Sequence, residues 1–514
     1  MTNEDQSSRS LYQTFRQHLV AILLISVLLI IPCLWHRHIE AGDLPSHVYN
    51  AWLAQLITKG QAPGLYLVNR YTNVLFDLAI LHAASIFGLA AAEKVVVAFA
   101  VLIFSWGVFS FVYASAGRPP WFLMPAVAML AYGYPFNMGF FNYYLSIGFA
   151  CFALALAWRG GAGNWLSALL IAPLALLAHP IGFLWIVATL LYRFVRQHLP
   201  GWWKVALPLS VAAAFFALHW FFLHRATFPV DWEAPPLYLL TGADQLILYG
   251  QRYAILSYVA LAFAILCVAG EFLPRRKDDA ALKSSLPLLE LYAVSFLATA
   301  LLPENIRLTL NAGWIGLIVS RLTIITAIIG LSLLATLTPR KWHLAGFAAI
   351  AAVFFTFLYQ DTAWLNRLES NAESVLATLP RGTRIIPTIA APADWRILFI
   401  GHIADRACIT HCFIYSNYEA PTRQFRVRIG PQGSPLVTSS EDDAEDMEGG
   451  SYEVQNTDPP LTQLYQCSPS LPIAPPPNAG AGLAPPAATS PYPATLCLRS
   501  LHEGDVTSFS PPPH

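Results

Sequence analysis

Asp43-Leu44-Pro45-Ser46-His47 sets a carboxylate and an imidazole four residues apart. On a helix that spacing puts both side chains on one face. Asp43 then suits the N-cap and Pro45 the first turn, where a missing N–H costs nothing. Val48, Trp52, Leu53, Leu56 and Ile57 continue an apolar helical stripe, which Gly60 and Pro63 stop. A carboxylate with a pKa near 4 is ionised at neutral pH and can take a proton from a hydroxyl within hydrogen-bond reach. His47 can orient that carboxylate, orient an acceptor, or share a metal ion with it. The plainer reading is that Asp43 only caps a helix and His47 is only solvated. What weighs for chemistry is where the rest of the chain puts them.

Eight residues separate this pair from the first long apolar segment, Val20 to Leu34. That segment follows Arg9 and Arg16, exceeds a usual signal-peptide core and has no small-x-small cleavage site after it. It reads as an uncleaved membrane helix with the N-terminus in the cytoplasm. The segment after Asp43 then reads as a helix lying along the membrane surface, with Trp35, Tyr49 and Trp52 at the depth where aromatic anchors sit. The chain has 514 residues, 56% apolar and only 12% charged, against about 25% charged in soluble domains. Apolar runs recur as far as Tyr359, so this is an all-α polytopic membrane bundle. Thirty basic and thirty acidic residues give no net charge, which argues against a nucleic-acid partner.

Apolar stretches fall at about 72–88, 92–114, 120–134, 143–158, 164–178, 181–196, 203–224, 252–272, 285–303, 312–337 and 341–360. With Arg118 in the cytoplasm, Arg159, Arg193, Arg196, Lys204, Arg275, Arg276, Lys277, Arg340 and Lys341 share its side. That parity allows one full crossing between residues 70 and 118. The segment 72–88, which carries Asp77 and His82, is therefore expected to be re-entrant or interfacial. Eleven crossings result, with the C-terminus outside.

Polar groups then gather on the outer face. They are His36, His38, Glu40, Asp43 and His47; Asn69, Arg70 and Asn73; Asn137 and Asn142; His179; Asp231, Glu233, Asp244, Gln245 and Arg252; Glu304, Asn305 and Arg307. Arg321 lies inside a span, where a charge is costly and marks either function or an ion pair between helices. If the leaving group is a phosphate, Arg252, Arg307 and Arg321 are the cations able to steady it. No Walker A, Rossmann loop, Gly-x-Ser-x-Gly or His-Glu-x-x-His motif is placed to work, and the cytoplasmic loops are short. Substrates must reach the outer face or arrive through the bilayer.

Beyond Gln360, Trp364, Leu368, Ala372, Val375 and Leu379 predict an amphipathic helix. Short β-rich runs follow at Arg384–Ile389, Arg396–Ile400, Cys412–Tyr415 and Gln424–Ile429. The expected division is a membrane domain over 1–360, with its first outer loop at 36–72, a small α/β extracytoplasmic domain over 361–430, and a disordered tail over 431–514 rich in Pro and acidic residues. Cys408, Cys412, Cys467 and Cys497 suit one or two disulfides in an oxidising compartment. A zinc site of Cys408, His411 and Cys412 is the alternative and lacks an evident fourth ligand.

One span, an outer loop with an acidic residue and a nearby His, a surface helix and Gly60-x-x-Pro63 together resemble the GT-C superfamily of integral-membrane glycosyltransferases. The similarity is to the dolichyl-phosphate-mannose-dependent mannosyltransferases and the lipid A aminoarabinose transferases. Asn142-Tyr143-Tyr144-Leu145, His179-Pro180-x-Gly182 and Arg321-Leu322 are further echoes. The resemblance covers roughly residues 18–430. It implies a polyprenyl-phosphate-linked sugar donor, a lipid, glycan or protein acceptor, inversion at the anomeric carbon, and a plasma-membrane location. It implies Asp43 and His47 as catalytic residues and Asn142, His179, Arg252, Arg307 and Arg321 as substrate-binding residues. It fixes no cofactor. A divalent cation is an alternative, although the chain carries a single Asp43 rather than an Asp-x-Asp pair. Other readings are a secondary transporter or lipid flippase, for which no repeat is evident, and a non-catalytic subunit of envelope assembly.

Overall fold

The computed structural model describes residues 18–232, 237–272, 279–307, 314–397, 400–467 and 495–509. Glu233, the Arg275–Lys277 run and the prolines of 475–477 and 485–486 lie outside the described residues. The chain opens with α1 (His18–Cys33), α2 (Leu44–Thr58), β1 (Leu65–Leu67), α3 (Leu75–Phe87), α4 (Leu89–Ala116), α5 (Met124–Ala131), α6 (Tyr134–Asn137) and α7 (Phe141–Arg159). It continues through α8 (Ala162–Ala178), α9 (Pro180–His198), α10 (Trp203–His224), β2 (Val230–Asp231), α11 (Gln251–Phe272), α12 (Asp279–Leu301), β3 (Asn305–Arg307), β4 (Trp314–Ile315), α13 (Ile318–Leu334) and α14 (Lys341–Leu376). The C-terminal part holds β5 (Arg384–Thr388), α15 (Ile403–Cys408), β6 (Phe413–Ile414), β7 (Val427–Ile429), α16 (Glu441–Gly449), β8 (Leu461–Gln466) and β9 (Leu496–Leu501).

The architecture is mostly helical with several apolar helices. Among the described residues, α4, α7, α10, α11 and α14 are long and apolar enough to cross a membrane. Helix α10 is apolar throughout yet buries none of its side chains, which suits a surface against lipid.

Contacts sort the helix ends into two sets. At one end His18 meets the Trp121 ring at 5.2 Å, Arg118 donates to the carbonyls of Ala335 and Thr336, and Arg340 pairs with Glu271. At the other end Lys94 donates to the His36 carbonyl at 3.1 Å and Glu93 pairs with Arg406 of α15. Helix α3 starts beside His47 and ends where the first turn of α4 reaches Arg406, so it begins and ends on the same side.

The C-terminal domain is built differently from the expectation. Helix α14 runs unbroken for 36 residues, about 54 Å at 1.5 Å per residue, past the boundary expected at Gln360. No Gly or Pro falls between Gly346 and Pro380 to stop it. The amphipathic helix expected after the last span is therefore the last third of α14. The sheet has strand order β6-β5-β8-β9, with β5 parallel to both neighbours and β9 antiparallel to β8. Two of its four strands come from the stretch expected to be a disordered tail. The acidic run there also forms α16, with Ser440 accepting from the Asp443 amide as N-cap, three acids in the first turn, and Ala444 and Met447 buried. Among the described residues of 396–400 there is no strand; Ile400–His402 is a 3-10 turn leading into α15. Strand β7 leaves that sheet and pairs antiparallel with β1 of the first loop. Cys408 bonds to Cys412 and Cys467 to Cys497, so the two thiols of the zinc alternative are joined to each other.

Helix α2 does not lie on an interface. Eleven of its residues are buried. Trp52 stacks on Phe413 at 5.6 Å, and the Tyr49 hydroxyl accepts from the Ile414 amide. The C-terminal domain covers the face that the sequence alone would give to the membrane surface.

Candidate active site

Asp43 is placed by two backbone strands in near contact. Its amide donates to the Met138 carbonyl at 3.0 Å. A Cβ on Gly42 would stand 2.5 Å from that carbonyl, and one on Gly139 would stand 2.4 Å from the Asp43 nitrogen. Only glycine lets the two turns touch, and Gly139 also holds φ +80°. Asp43 occupies the N-cap position of α2 without capping it: its side chain takes no hydrogen bond from the helix. The carboxylate is only 15% exposed, and its buried Oδ1 has no hydrogen-bond partner. The plainer reading of Asp43 as a cap therefore fails.

Two imidazoles flank it. His47, one turn along α2, places Nδ1 2.7 Å from Asp77 Oδ1. Asn142, at the start of α7, donates to Asp77 Oδ2 at 2.9 Å and accepts from the Phe76 amide at 2.8 Å, which locks the carboxylate. On the other side His402 places Nε2 3.7 Å from Asp43 Oδ1 and Nδ1 3.0 Å from Asp405 Oδ2. Asp43 thus stands between two histidines, each backed by its own carboxylate. Burial pushes the Asp43 carboxyl up, while His402, His47 and Arg321 pull it back. Burial opposes charge on His47, but Asp77, Glu419 and Asp43 outweigh it and lift its pKa to about 9. His402 behaves alike, lifted to about 10 against burial by Asp405, Glu448 and Asp43. Glu419 is pushed up to about 8, by burial first, against the pull of His47.

Arg321, at the head of α13, supplies the cation. Its Nη1 donates to the Gly316 carbonyl at 3.0 Å and its guanidinium lies 4.6 Å from the Phe140 ring centre. Its buried Nε has no hydrogen-bond partner. Tyr143 donates to the Arg321 carbonyl, and His179 packs edge-on against Tyr143 at 5.4 Å. His179 caps α9 by accepting from Ile181, and its ring meets Tyr143. Gly182 of the same motif is structural: a Cβ there would stand 2.1 Å from Ser146 Oγ.

Asp43, His47, Asn142, His179 and Arg321 are thus brought together. Arg252 and Arg307 are not. Arg252 pairs with Asp361 and Gln360 between α11 and α14. Arg307 lies at the end of β3, 3.5 Å from Glu445 and exposed. Sequence reasoning missed Asp77, His402, Asp405 and Glu419 as partners of Asp43. A lone Asp in the apolar first turn of α3 was a signal for Asp77, and His402 and Asp405 three apart were another.

Small polar cavities adjoin both imidazoles. One, about 20 Å³, touches His47, Asp77, Glu419 and Arg426; the other, about 70 Å³, touches His402, Asp405, Ser416 and Glu448. A larger apolar cavity of about 450 Å³ opens between α5, α11, α12, α13 and α14, lined by Met129, Ala264, Tyr292, Ala327 and Leu331 among others. At its site end Asp244 accepts from Thr323 at 2.8 Å and from Arg396 at 3.2 Å, and Arg396 lies 4.0 Å from the Tyr134 ring centre. Helix α13 carries Arg321, which acts electrostatically on Asp43, at its head, and Ala327 and Leu331 further along line the cavity.

Nearby, His38, Glu369 and Glu373 hold three ligand-type atoms within 4.8 Å of one another. Arg406 and Arg37 already pair with those carboxylates at 2.7 and 2.8 Å, so the group reads as an ion-pair cluster.

No protein-family model and no curated protein matches the chain. Among solved structures it is similar to the crystal structure of ArnT from Cupriavidus metallidurans bound to undecaprenyl phosphate. Identity is 13%, with 87% of this chain and 93% of that chain covered and a TM-score of 0.48. A likeness at that level carries no activity or residue role across.

Proposed function

We propose that the chain is a plasma-membrane glycosyltransferase that moves a sugar from a polyprenyl-phosphate donor to an acceptor hydroxyl at the outer face. The supporting observation is two buried atoms without a hydrogen-bond partner on side chains that interact electrostatically: the acceptor Asp43 Oδ1 and the donor Arg321 Nε. An unmet buried polar group costs about 1–3 kcal/mol, so two of opposite kind near each other suit a ligand carrying both a hydroxyl proton and an anion.

In this reading Asp43 takes the proton from the acceptor hydroxyl. The freed oxygen attacks the anomeric carbon as the sugar–phosphate bond breaks from the far side, which inverts the centre. Charge grows on the departing phosphate and Arg321 meets it. His47 and His402, charged by their own carboxylates, hold Asp43 ionised despite its burial. Asn142 fixes Asp77 behind His47, and His179 steadies Arg321 through Tyr143. The apolar cavity beside α13 suits a polyprenyl tail, with its polar end near Asp244 and Arg396.

The membrane arrangement proposed with it has eleven crossings, a cytoplasmic N-terminus, and both α2 and the C-terminal domain outside. Helix α3 stays on the outer side, supported by the contact of its first turn with His47 and of the first turn of α4, which follows it, with His36. In liposomes, the chain should release polyprenyl phosphate from at least one of a panel of polyprenyl-phosphate-linked hexoses. Asp43→Asn should slow release by about 10²–10⁴-fold, the usual contribution of a general base. Undiminished release by a folded Asp43→Asn chain would overturn the proposal.

A further inference from the structure

The ribbon formed by β1 and β7 has two faces with opposite chemistry. Side chains alternate along a strand. Leu67 and Val427, partners in the register, line the small cavity that holds His47 and Asp77. Tyr66 and Arg428, the adjacent partners, line the opposite side. There a wide groove of about 1170 Å³ opens between the first outer loop and residues 420–433.

The groove carries Arg70, Arg423 and Arg428, and none of its lining residues is a carboxylate. Arg70 donates to the Arg423 backbone carbonyl at 3.4 Å, which ties the first outer loop to the loop that carries Arg423. Three cations sharing one concave surface repel one another unless an anion joins them. Burial, then Arg70 and Arg423, press the Arg428 guanidinium toward its neutral form. The aromatic rings are presented as well: Tyr66 is 48% and Tyr71 is 82% exposed. Exposed rings beside hydrogen-bonding groups provide a flat apolar platform with polar edges. The C–H face of a sugar ring suits such a platform, and the arginine forks suit carboxylates or phosphates.

We propose that this groove docks an anionic glycan, a saccharide chain bearing carboxylates or phosphates, as the acceptor. The proposal rests on the transferase reading for its place in the reaction, because the same ribbon lines the small cavity at His47 and Asp77. Binding itself needs no turnover, so the two readings can fail separately.

The probe is an oligogalacturonate of about eight units, with neutral maltooctaose of matched length as control. Binding to the full chain in nanodiscs of neutral lipid is measured by calorimetry. Oligogalacturonate should bind in a salt-sensitive manner and maltooctaose at least tenfold more weakly. Arg423→Gln/Arg428→Gln should weaken oligogalacturonate binding at least tenfold, while Asp43→Asn leaves it unchanged. Arg70→Gln alone, away from the ribbon pairing, gives the same direction should the double variant fold poorly. Equal binding of the neutral chain, or no effect of the arginine changes, would overturn the proposal. So would arginine-dependent capture of anionic-lipid vesicles without oligogalacturonate binding. Loss of transfer in Asp43→Asn with glycan binding intact tests the chemistry alone.

Discussion

Replacing Asp77 by Asn removes the charge behind His47 while keeping a side chain of the same shape. His47 is nearly buried, and its pKa stands at about 9 against an ordinary 6.5. Those 2.5 units correspond to about 3 kcal/mol favouring the charged imidazole in the folded chain. The sign follows from a folded pKa above the unfolded one. The stabilisation is full below pH 6.5 and is lost as pH rises through about 9. Without Asp77, only Glu419 and Asp43 oppose burial, the pKa falls, and most of this contribution is lost. Glu419 and His402 also titrate across part of the window, so the wild-type and variant curves must be subtracted. Unfolding in nanodiscs should show the wild type losing more than Asp77→Asn between pH 6.5 and 9.5, by at most about 3 kcal/mol. Titration of the His47 ring by NMR should place its pKa near 9 in the wild type and clearly lower in the variant. Parallel stability curves, with an unmoved His47, would refute the coupling.

Arg406 pairs with both Glu93 and Glu369 and lies 4.0 Å from Glu40, so Arg406→Met strands three buried carboxylates. A loss of about 3–5 kcal/mol in chemical unfolding is expected, and a neutral effect would contradict the ion-pair reading. Replacing Cys467 and Cys497 by Ser frees a 30-residue loop and should cost about 3–4 kcal/mol on the loop-closure relation, read from the unfolding midpoint. Transfer should fail at low pH above the ordinary carboxylate range, because burial raises Asp43, and His402→Gln should move that acid limb higher still. A pH–rate profile in which His402→Gln leaves the limb in place would exclude His402 as the group that keeps Asp43 ionised.

The site was legible where chain direction alone determines position. Asp43 follows α1, Asn142 opens α7, His179 opens α9 and Arg321 opens α13, so all four sit at helix ends on one side. Arg252 and Arg307 were equally plausible by type and depth. Their partners Asp361 and Glu445 lie 109 and 138 residues away, and no local pattern announces such pairs. His402 and Glu419 join the site only because the C-terminal domain folds back onto α2. That return depends on contacts such as Tyr49 with Ile414 and Asn50 with Asn417, both more than 360 residues apart. Composition misled in the C-terminal stretch. Glu441–Glu448 looks like a solvated acidic run, yet Ala444 and Met447 give its helix one buried edge. Strands β8 and β9 are six residues each and lie among prolines, whose density hides two buried strands.

The central claim is that Asp43 and Arg321 act together at a lipid-borne phosphate. A density map of the chain in nanodiscs with polyprenyl phosphate tests it most directly. The account predicts the phosphate within hydrogen-bond reach of Arg321 Nε, on the Asp43 side of α13, with the first isoprene units entering the cavity lined by Tyr292 and Ala327. A phosphate bound elsewhere, with Arg321 Nε and Asp43 Oδ1 still unpartnered, would contradict it.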